Sequence, residues 1–159
     1  MIKKNLLKDF TIIFFIFSID RISKQLVIYL DDKYLNSEIF LSKFLNIQLI
    51  WNDGVAFGLF ASNNIVFYHS LTSFIILIIL ILIYFSIKTN GLEKYSFLII
   101  LGGSLGNVYD RLTYSAVPDF IDFHYHSFHW FIFNVADIFI TTGVLLLIYI
   151  ELVLKNKKS

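Results

Sequence analysis

The sequence predicts an all-α integral membrane protein with four transmembrane helices and a small extracytoplasmic β cradle. Of its 159 residues, 57% are hydrophobic and only 16% are charged, and the mean hydropathy is +0.73. A soluble domain of this length needs far more polar surface. The chain also contains four apolar runs of roughly 20 residues, the length that crosses a bilayer. We expect one membrane-embedded domain over residues 1–159.

Four predicted spans and two long connections organise the chain. The spans cover, in order, about residues 10–30, 65–87, 95–112 and 137–154. The first contains charged residues, whereas the second contains none, and the fourth could begin earlier than residue 137. The long connections are residues 31–64 and 113–136, which therefore lie on the same side of the membrane. The charged start of the first span resembles a signal peptide, but no small-residue cleavage site follows, so we expect a retained helix.

Basic residues predict the orientation. Lysines lie in the N-terminal tail, in the connection between the second and third spans, and in the C-terminal tail: Lys3, Lys4, Lys8, Lys88, Lys94, Lys155, Lys157 and Lys158. Four spans place all three groups on one side, which the positive-inside rule identifies as the cytoplasm. Trp51 and Trp130 fall on the opposite side, as interfacial anchors do. We therefore expect a multi-pass membrane protein with both termini in the cytoplasm.

The first outer connection contains a hairpin signal. Leu45 to Trp51 forms a β-prone run, Asn52-Asp53-Gly54 is a turn sequence, and residues 55–60 form a second apolar run. Asp-Gly between such runs is typical of a β-hairpin. This predicts a small β element on the outer surface of the bilayer.

Charged residues inside apolar spans are costly and therefore indicate function or a buried pair. Asp20 and Lys24 are four residues apart on one helix face and can form a structural ion pair. Arg21 points elsewhere, and we expect it to extend towards an interface. Asp110 and Arg111 close the third span, where the simplest interpretation is a helix end held at the membrane surface.

Three aspartates surround the second outer connection. Asp137 opens the fourth span, where a carboxylate is either a helix cap or a functional group. Asp119 and Asp122 lie in a stretch of alternating apolar and polar residues, which is typical of a strand. Because they are three residues apart, they face opposite sides of that strand, and only one of them is expected to meet Asp137. Spacing alone leaves open which one. A carboxyl pair with one proton can activate water against a peptide carbonyl and protonate the leaving nitrogen.

Two other patterns have simpler explanations. Residues 102–106 match G-x-S-x-G around Ser104, but that motif needs a strand–turn–helix context, whereas small residues in an apolar helix allow close packing. His124, His126 and His129 could bind a metal, but no H-E-x-x-H helix accompanies them, and we expect no metal or cofactor. The absence of cysteine excludes disulfides and thiolate chemistry, and a net charge of +1 gives no basic field for nucleic acid.

Five motifs in order resemble those of the lipoprotein signal peptidase (signal peptidase II) family. They are Asp20-Arg21-Ile22-Ser23-Lys24, Asn52-Asp53-Gly54-Val55-Ala56-Phe57, the segment from Gly102 to Arg111 that contains Gly106-Asn107-Val108-Tyr109-Asp110-Arg111, Val117-Pro118-Asp119-Phe120-Ile121-Asp122, and Phe133-Asn134-Val135-Ala136-Asp137. Each is weak alone, but together they run through nearly the whole chain. The departure is Pro118, where the family usually has valine or a similar residue, which leaves the local strand pairing open.

The resemblance implies an aspartic endopeptidase with Asp119 and Asp137 as its catalytic pair and Asp122 outside it. It implies a diacylglyceryl-modified prolipoprotein as substrate, cleavage before the lipidated cysteine, an active site on the extracytoplasmic side, a monomer among membrane lipids, and inhibition by globomycin. The residues it assigns to lining, bracing or tuning the site are Asn52, Gly54, Asn107, Asp110, Arg111, Asn134, Ala136, Asp20 and Lys24. The alternatives are a small transporter or channel that uses the intramembrane charges, and a structural subunit in which those charges only support packing.

Overall fold

The described residues of the chain fold into four helices and a small antiparallel sheet. The computed structural model describes residues 2–34, 39–40, 42–54, 65–126 and 128–155. The helices are α1 (Ile2–Tyr34), α2 (Ile65–Lys88), α3 (Gly91–Tyr114) and α4 (Val135–Tyr149), and α4 continues as a π-helical segment, Ile150–Lys155. The strands are β1 (Ile39–Phe40), β2 (Leu45–Asn52), β3 (Val117–Tyr125) and β4 (Phe128–Phe133). The expected mostly helical fold with a small sheet is confirmed.

Helix α3 is the centre of the bundle, and α1, α2 and α4 all pack against it. Small residues make this packing possible. A Cβ atom added at Gly102 would lie 2.7 Å from Cβ of Ile16 on α1, and one at Gly103 would lie 2.6 Å from the carbonyl oxygen of Ala136 on α4. Ser104 lies within the same continuous helix, so the strand–turn–helix context of a nucleophilic serine is missing there.

Two of the described helices are long and apolar enough to cross a membrane. These are Ile65–Lys88, which contains an 18-residue window with a mean hydropathy of 2.7, and Val135–Leu154, in which the corresponding value is 2.1. Helix α1 has 33 residues and α3 has 24, which gives about 50 and 36 Å at 1.5 Å per residue. Both helices carry charged side chains in the bundle interior, including Asp20 and Asp110, which are completely buried. That all four helices cross the membrane stays a prediction.

The four strands pair antiparallel in the order β1-β2-β3-β4. The predicted strand from Leu45 is present and ends at Asn52, and it pairs with β3, in a register that includes Trp51 opposite Pro118. The predicted hairpin partner, residues 55–60, lies outside the described residues. Strand β3 follows α3 directly, and β4 leads into α4 through Asn134. The sheet therefore lies at one end of the bundle and places β3 beside the start of α4.

Candidate active site

Asp119 lies on β3 with only 2% of its surface exposed. Each of its carboxylate oxygens accepts a hydrogen bond from an asparagine amide. Nδ2 of Asn52 donates to Oδ2 at 2.8 Å, and Nδ2 of Asn134 donates to Oδ1 at 2.6 Å. Bonds from two N–H donors stabilise the ionised carboxylate in a buried position.

The backbone fixes the orientation of both amides. The backbone N–H of Gly54 donates to Oδ1 of Asn52 at 2.8 Å, and the backbone N–H of Asp137 donates to Oδ1 of Asn134 at 3.2 Å. An N–H group can bond only to the amide oxygen, so in each asparagine the nitrogen is left to face Asp119. The two donors to Asp119 are therefore set by the fold.

Asp137 takes part in the start of α4 without being its cap. Asn134 is the N-cap residue, and Asp137 occupies the third helical position, where its Oδ2 accepts from the backbone N–H of Asn134 at 3.2 Å. This reciprocal pair is a capping box. The fourth helix therefore begins at Val135, and the predicted start was at about residue 137 or earlier. The other carboxylate oxygen, Oδ1, accepts from Nδ2 of Asn107 on α3 at 2.9 Å.

The two aspartates are close enough to influence each other's charge. Burial, which is the larger cause, and the negative charge of Asp137 raise the pKa of Asp119 from 3.8 to about 6. The hydrogen bonds from Asn52 and Asn134 act in the opposite direction and lower this pKa. Two neighbouring carboxyl groups, here the buried Asp119 and the partly buried Asp137, favour a state in which one holds a proton and the other is ionised.

A buried ionic cluster lies beneath the aspartates. Nζ of Lys24 donates to Oδ2 of Asp20 at 3.0 Å, to Oδ2 of Asp110 at 2.7 Å, and to Oδ1 of Asn107 at 2.7 Å. The last bond fixes the Asn107 amide so that its nitrogen faces Asp137. Oδ1 of Asp20 also accepts from the backbone N–H of Ala136 at 2.9 Å. The cluster thus ties α1, α3 and the first turn of α4 together.

The expected position of Arg21 at an interface was wrong. Its side chain is only 12% exposed, and it lies 2.5 Å from Oδ1 of Asp110 and 5.0 Å from the ring centroid of Tyr109. Asp110 and Arg111 lie near the end of α3, as expected for a helix end, and a position of that end at the membrane surface stays a prediction. Asp110 is completely buried and Arg111 is 5% exposed. For all three residues, buried partners of opposite charge or polarity compensate the desolvation.

Arg111 connects α3 to the bend after β2. Its Nη2 atom donates to the backbone oxygen of Gly54. Its guanidinium carbon lies 5.8 Å from the ring centroid of Tyr68 on α2, and the Tyr68 hydroxyl donates to the backbone oxygen of Arg111 at 3.1 Å. Sequence reasoning missed Tyr68, because a tyrosine within an apolar span carries no local signal of a contact with a helix end.

Asp122 lies three residues after Asp119 and is completely buried. Its Oδ2 bonds to Nδ1 of His129 at 2.7 Å. The ring of His129 stacks on that of His124, with centroids 5.4 Å apart. Within the described ranges, no three or more His, Cys, Asp or Glu side chains are grouped to hold a metal ion. Asp119, Asp137 and the three asparagines are thus brought together, and Asp122 makes a separate pair with His129.

This fold and its polar centre define a membrane enzyme. The fold is similar to two solved bacterial membrane enzyme structures, determined by the in meso method at 2.3 and 1.9 Å resolution. The first match has a TM-score of 0.74 and 29% identity and covers 96% of this chain and 91% of that chain. The second has a TM-score of 0.72 and 30% identity and covers 92% of this chain and 93% of that chain.

The sequence profile of the family described as signal peptidase (SPase) II matches residues 12–153, and the chain belongs to this peptidase family. A lipoprotein signal peptidase of Pelagibacter ubique is 47% identical over 156 residues, which cover 98% of this chain and 94% of the relative. One of Francisella tularensis subsp. novicida is 39% identical over 157 residues, which cover 95% of each chain. The family indicated by the sequence motifs is confirmed.

Proposed function

We propose that the chain is an aspartic endopeptidase that removes the signal peptide from diacylglyceryl-modified prolipoproteins and cuts before the lipidated cysteine. The observation that carries this proposal is the convergence of Asp119 and Asp137, from a strand and a helix start, on one centre held by three oriented asparagine amides. The membership in a peptidase family and the names of the relatives support the substrate class.

In the proposed reaction the ionised aspartate takes a proton from a water molecule. The water oxygen then bonds to the carbonyl carbon of the scissile peptide. The protonated aspartate gives its proton to the leaving nitrogen as the carbon–nitrogen bond breaks. The asparagine amides keep both carboxyl groups oriented throughout, so little reorganisation accompanies the reaction.

An apolar cavity beside the centre supports a lipid-modified substrate. Its volume is about 300 Å³, and it is lined by Asp137 together with Phe131, Phe133, Ile138, Thr141 and Thr142. An apolar recess next to a catalytic carboxylate suits an acyl chain or an apolar side chain of the signal peptide. Nη1 of Arg111 is buried and has no hydrogen-bond partner among the described residues.

We place the aspartates at the extracytoplasmic face of a bacterial cytoplasmic membrane. Lys88 ends α2 and Lys94 lies in the first turns of α3, so both are at the end of the bundle opposite the sheet. The positive-inside rule assigns the lysine end to the cytoplasm. We expect both termini on that side and a monomer that binds its substrate within the bilayer.

A cleavage assay in detergent tests the proposal. The substrate is a diacylglyceryl-modified prolipoprotein, and the product is followed by its shift on a gel. Wild type and Asp122→Asn should cleave it, whereas Asp119→Asn and Asp137→Asn should not. A chelator should have no effect, and globomycin should inhibit. Cleavage by folded Asp119→Asn protein would disprove the aspartate mechanism. Ion flux in proteoliposomes without any cleavage would favour the transporter alternative.

A further inference from the structure

Helix α2 contacts the end of α3 through the polar side chain of Tyr68, which is only 7% exposed. Its hydroxyl donates to the backbone oxygen of Arg111 at 3.1 Å, and its ring lies under the guanidinium of the same residue. Tyr68 therefore contacts both the backbone and the side chain of Arg111.

The acceptor that Tyr68 uses belongs to the end of a helix. Arg111 lies in the last turn of α3, which ends at Tyr114. Carbonyl oxygens near a helix end accept bonds from groups outside the helix. The Tyr68 hydroxyl is such a donor to Arg111, and it thereby links the last turn of α3 to α2.

From Arg111 a series of hydrogen bonds leads to Asp119. The guanidinium of Arg111 donates to the backbone oxygen of Gly54, and the backbone N–H of Gly54 donates to the side chain of Asn52 at 2.8 Å. The same Asn52 side chain donates to Asp119 at 2.8 Å. A shift of Arg111 therefore moves the bend at Gly54 and the amide that faces Asp119.

We propose that Tyr68 is a positioning residue for cleavage, which acts through Arg111 and Gly54 to keep the Asn52 amide bonded to Asp119. This inference rests on the proposed function of the aspartates. Tyr68 does not touch the reacting atoms; its contribution is to hold the bend after β2 in the position where Asn52 can donate. The ring under the guanidinium and the hydroxyl on the carbonyl make two separate contacts with Arg111, so the hydroxyl can be tested alone.

The variant Tyr68→Phe removes the hydroxyl and keeps the ring. We expect kcat to fall about three- to tenfold, the scale of one positioning hydrogen bond, with KM unchanged. In the pH profile of kcat, the limb that reports the ionisation of Asp119 should move to higher pH. The reason is that the hydrogen bond from Asn52 lowers the pKa of Asp119, and the variant weakens that bond. The matched control is Tyr84→Phe, an exposed tyrosine on the same helix, which should behave as wild type.

A second experiment, in the Asn52→Ala variant, distinguishes a positioning role of Tyr68 from general support of the fold. In Asn52→Ala protein the proposed route to Asp119 is already broken, so adding Tyr68→Phe should lower kcat no further. Hydrogen exchange of the Gly54 amide should become faster in Tyr68→Phe and stay unchanged in Tyr84→Phe, a readout that needs no activity. Wild-type kcat in Tyr68→Phe, or equal losses in both backgrounds, would overturn the inference. Cleavage by folded Asp119→Asn protein would instead show that the proposed aspartate mechanism is wrong, and this outcome is independent of the result for Tyr68→Phe.

Discussion

The side-chain nitrogen of Asn134, Nδ2, donates a hydrogen bond to Oδ1 of Asp119 at 2.6 Å, while the oxygen of the same amide caps the helix that carries Asp137. One side chain therefore sets both the start of α4 and the hydrogen bonding of the strand aspartate. The geometry of the pair depends on this cap, because a change in the helix start changes the position of the donor to Asp119. The residue must both accept from a backbone N–H and donate to a carboxylate, and an amide does both.

This dual role predicts different effects for two capping residues at position 134. Asn134→Asp keeps a good cap but removes the donor and adds a negative charge beside Asp119. Cleavage should be lost, while the apparent melting temperature changes little at pH 5 and falls at pH 8. Asn134→Ser keeps the cap and adds no charge, so it should retain more activity than Asn134→Asp. Equal activity of the two variants would show that the amide is not needed for its nitrogen.

The raised pKa of Asp119 predicts a pH-dependent stability. The pKa is about 6 in the folded protein and 3.8 ordinarily, so the folded state binds the proton more tightly than the unfolded chain. The contribution of Asp119 to stability is therefore most favourable below about pH 4 and is lost as the pH rises through about 6, by an amount on the order of 3 kcal/mol. Asp119→Asn cannot ionise, so its melting temperature relative to wild type should rise between pH 4.5 and 7.5.

The control for this experiment is Asp32→Asn, at an exposed position near the end of α1. Its melting temperature should follow that of wild type at every pH. The loss of one hydrogen bond in Asp119→Asn lowers its melting temperature by the same amount at every pH. The prediction therefore concerns only how the difference from wild type changes with pH. A difference between Asp119→Asn and wild type that stays constant from pH 4.5 to 7.5 would contradict the raised pKa.

The sequence predicted the helices and the sheet to different degrees. Helix α2 was clear, because a long run without charge in a chain of this composition has few alternatives. The register of β2 against β3 was not predictable, because it joins residues more than 60 positions apart, such as Asn52 and Val117. The start of α4 was predicted at about residue 137 or earlier, and it lies at Val135, because Asn134 is the N-cap residue.

The site was predicted residue by residue only where motifs existed. Spacing along the chain showed that Asp119 and Asp122 face opposite sides, but it could not say which one meets Asp137. The structure pairs Asp122 with His129 and brings Asp119 to the start of α4. Contacts such as that of Tyr68 with Arg111 depend on how two helices pack, and no local pattern encodes them.

Lys24 is predicted to be essential for both stability and orientation. Its ammonium group is completely buried and bonds to Asp20, Asp110 and Asn107. Lys24→Met keeps the apolar part of the side chain but leaves buried carboxylates without this cation, at a cost of about 3–5 kcal/mol. Denaturant unfolding in detergent should show this loss, whereas Lys33→Met, at the exposed end of α1, should change little.

The double variant Lys24→Met with Asp110→Asn distinguishes the two roles of Lys24. Removing one carboxylate reduces the uncompensated charge, so the double variant should be more stable than Lys24→Met alone. Cleavage should stay low, because Asn107 still lacks the bond that orients its amide towards Asp137. Full recovery of cleavage together with stability would mean that Lys24 contributes through stability only.

Gly103 and Ser104 give a last prediction, because adjacent residues of α3 have different roles. A Cβ at Gly103 would lie 2.6 Å from the carbonyl oxygen of Ala136 and 3.0 Å from Cγ1 of Ile140, so Gly103→Ala must push α4 away and move Asp137. We expect a loss of about 1–3 kcal/mol in stability and a large loss of cleavage. Ser104→Ala should retain both, as measured by thermal unfolding and the gel assay. Lost cleavage in stable Ser104→Ala would instead indicate a serine nucleophile, and an unchanged Gly103→Ala would show that α4 accommodates the methyl group without displacing its aspartate.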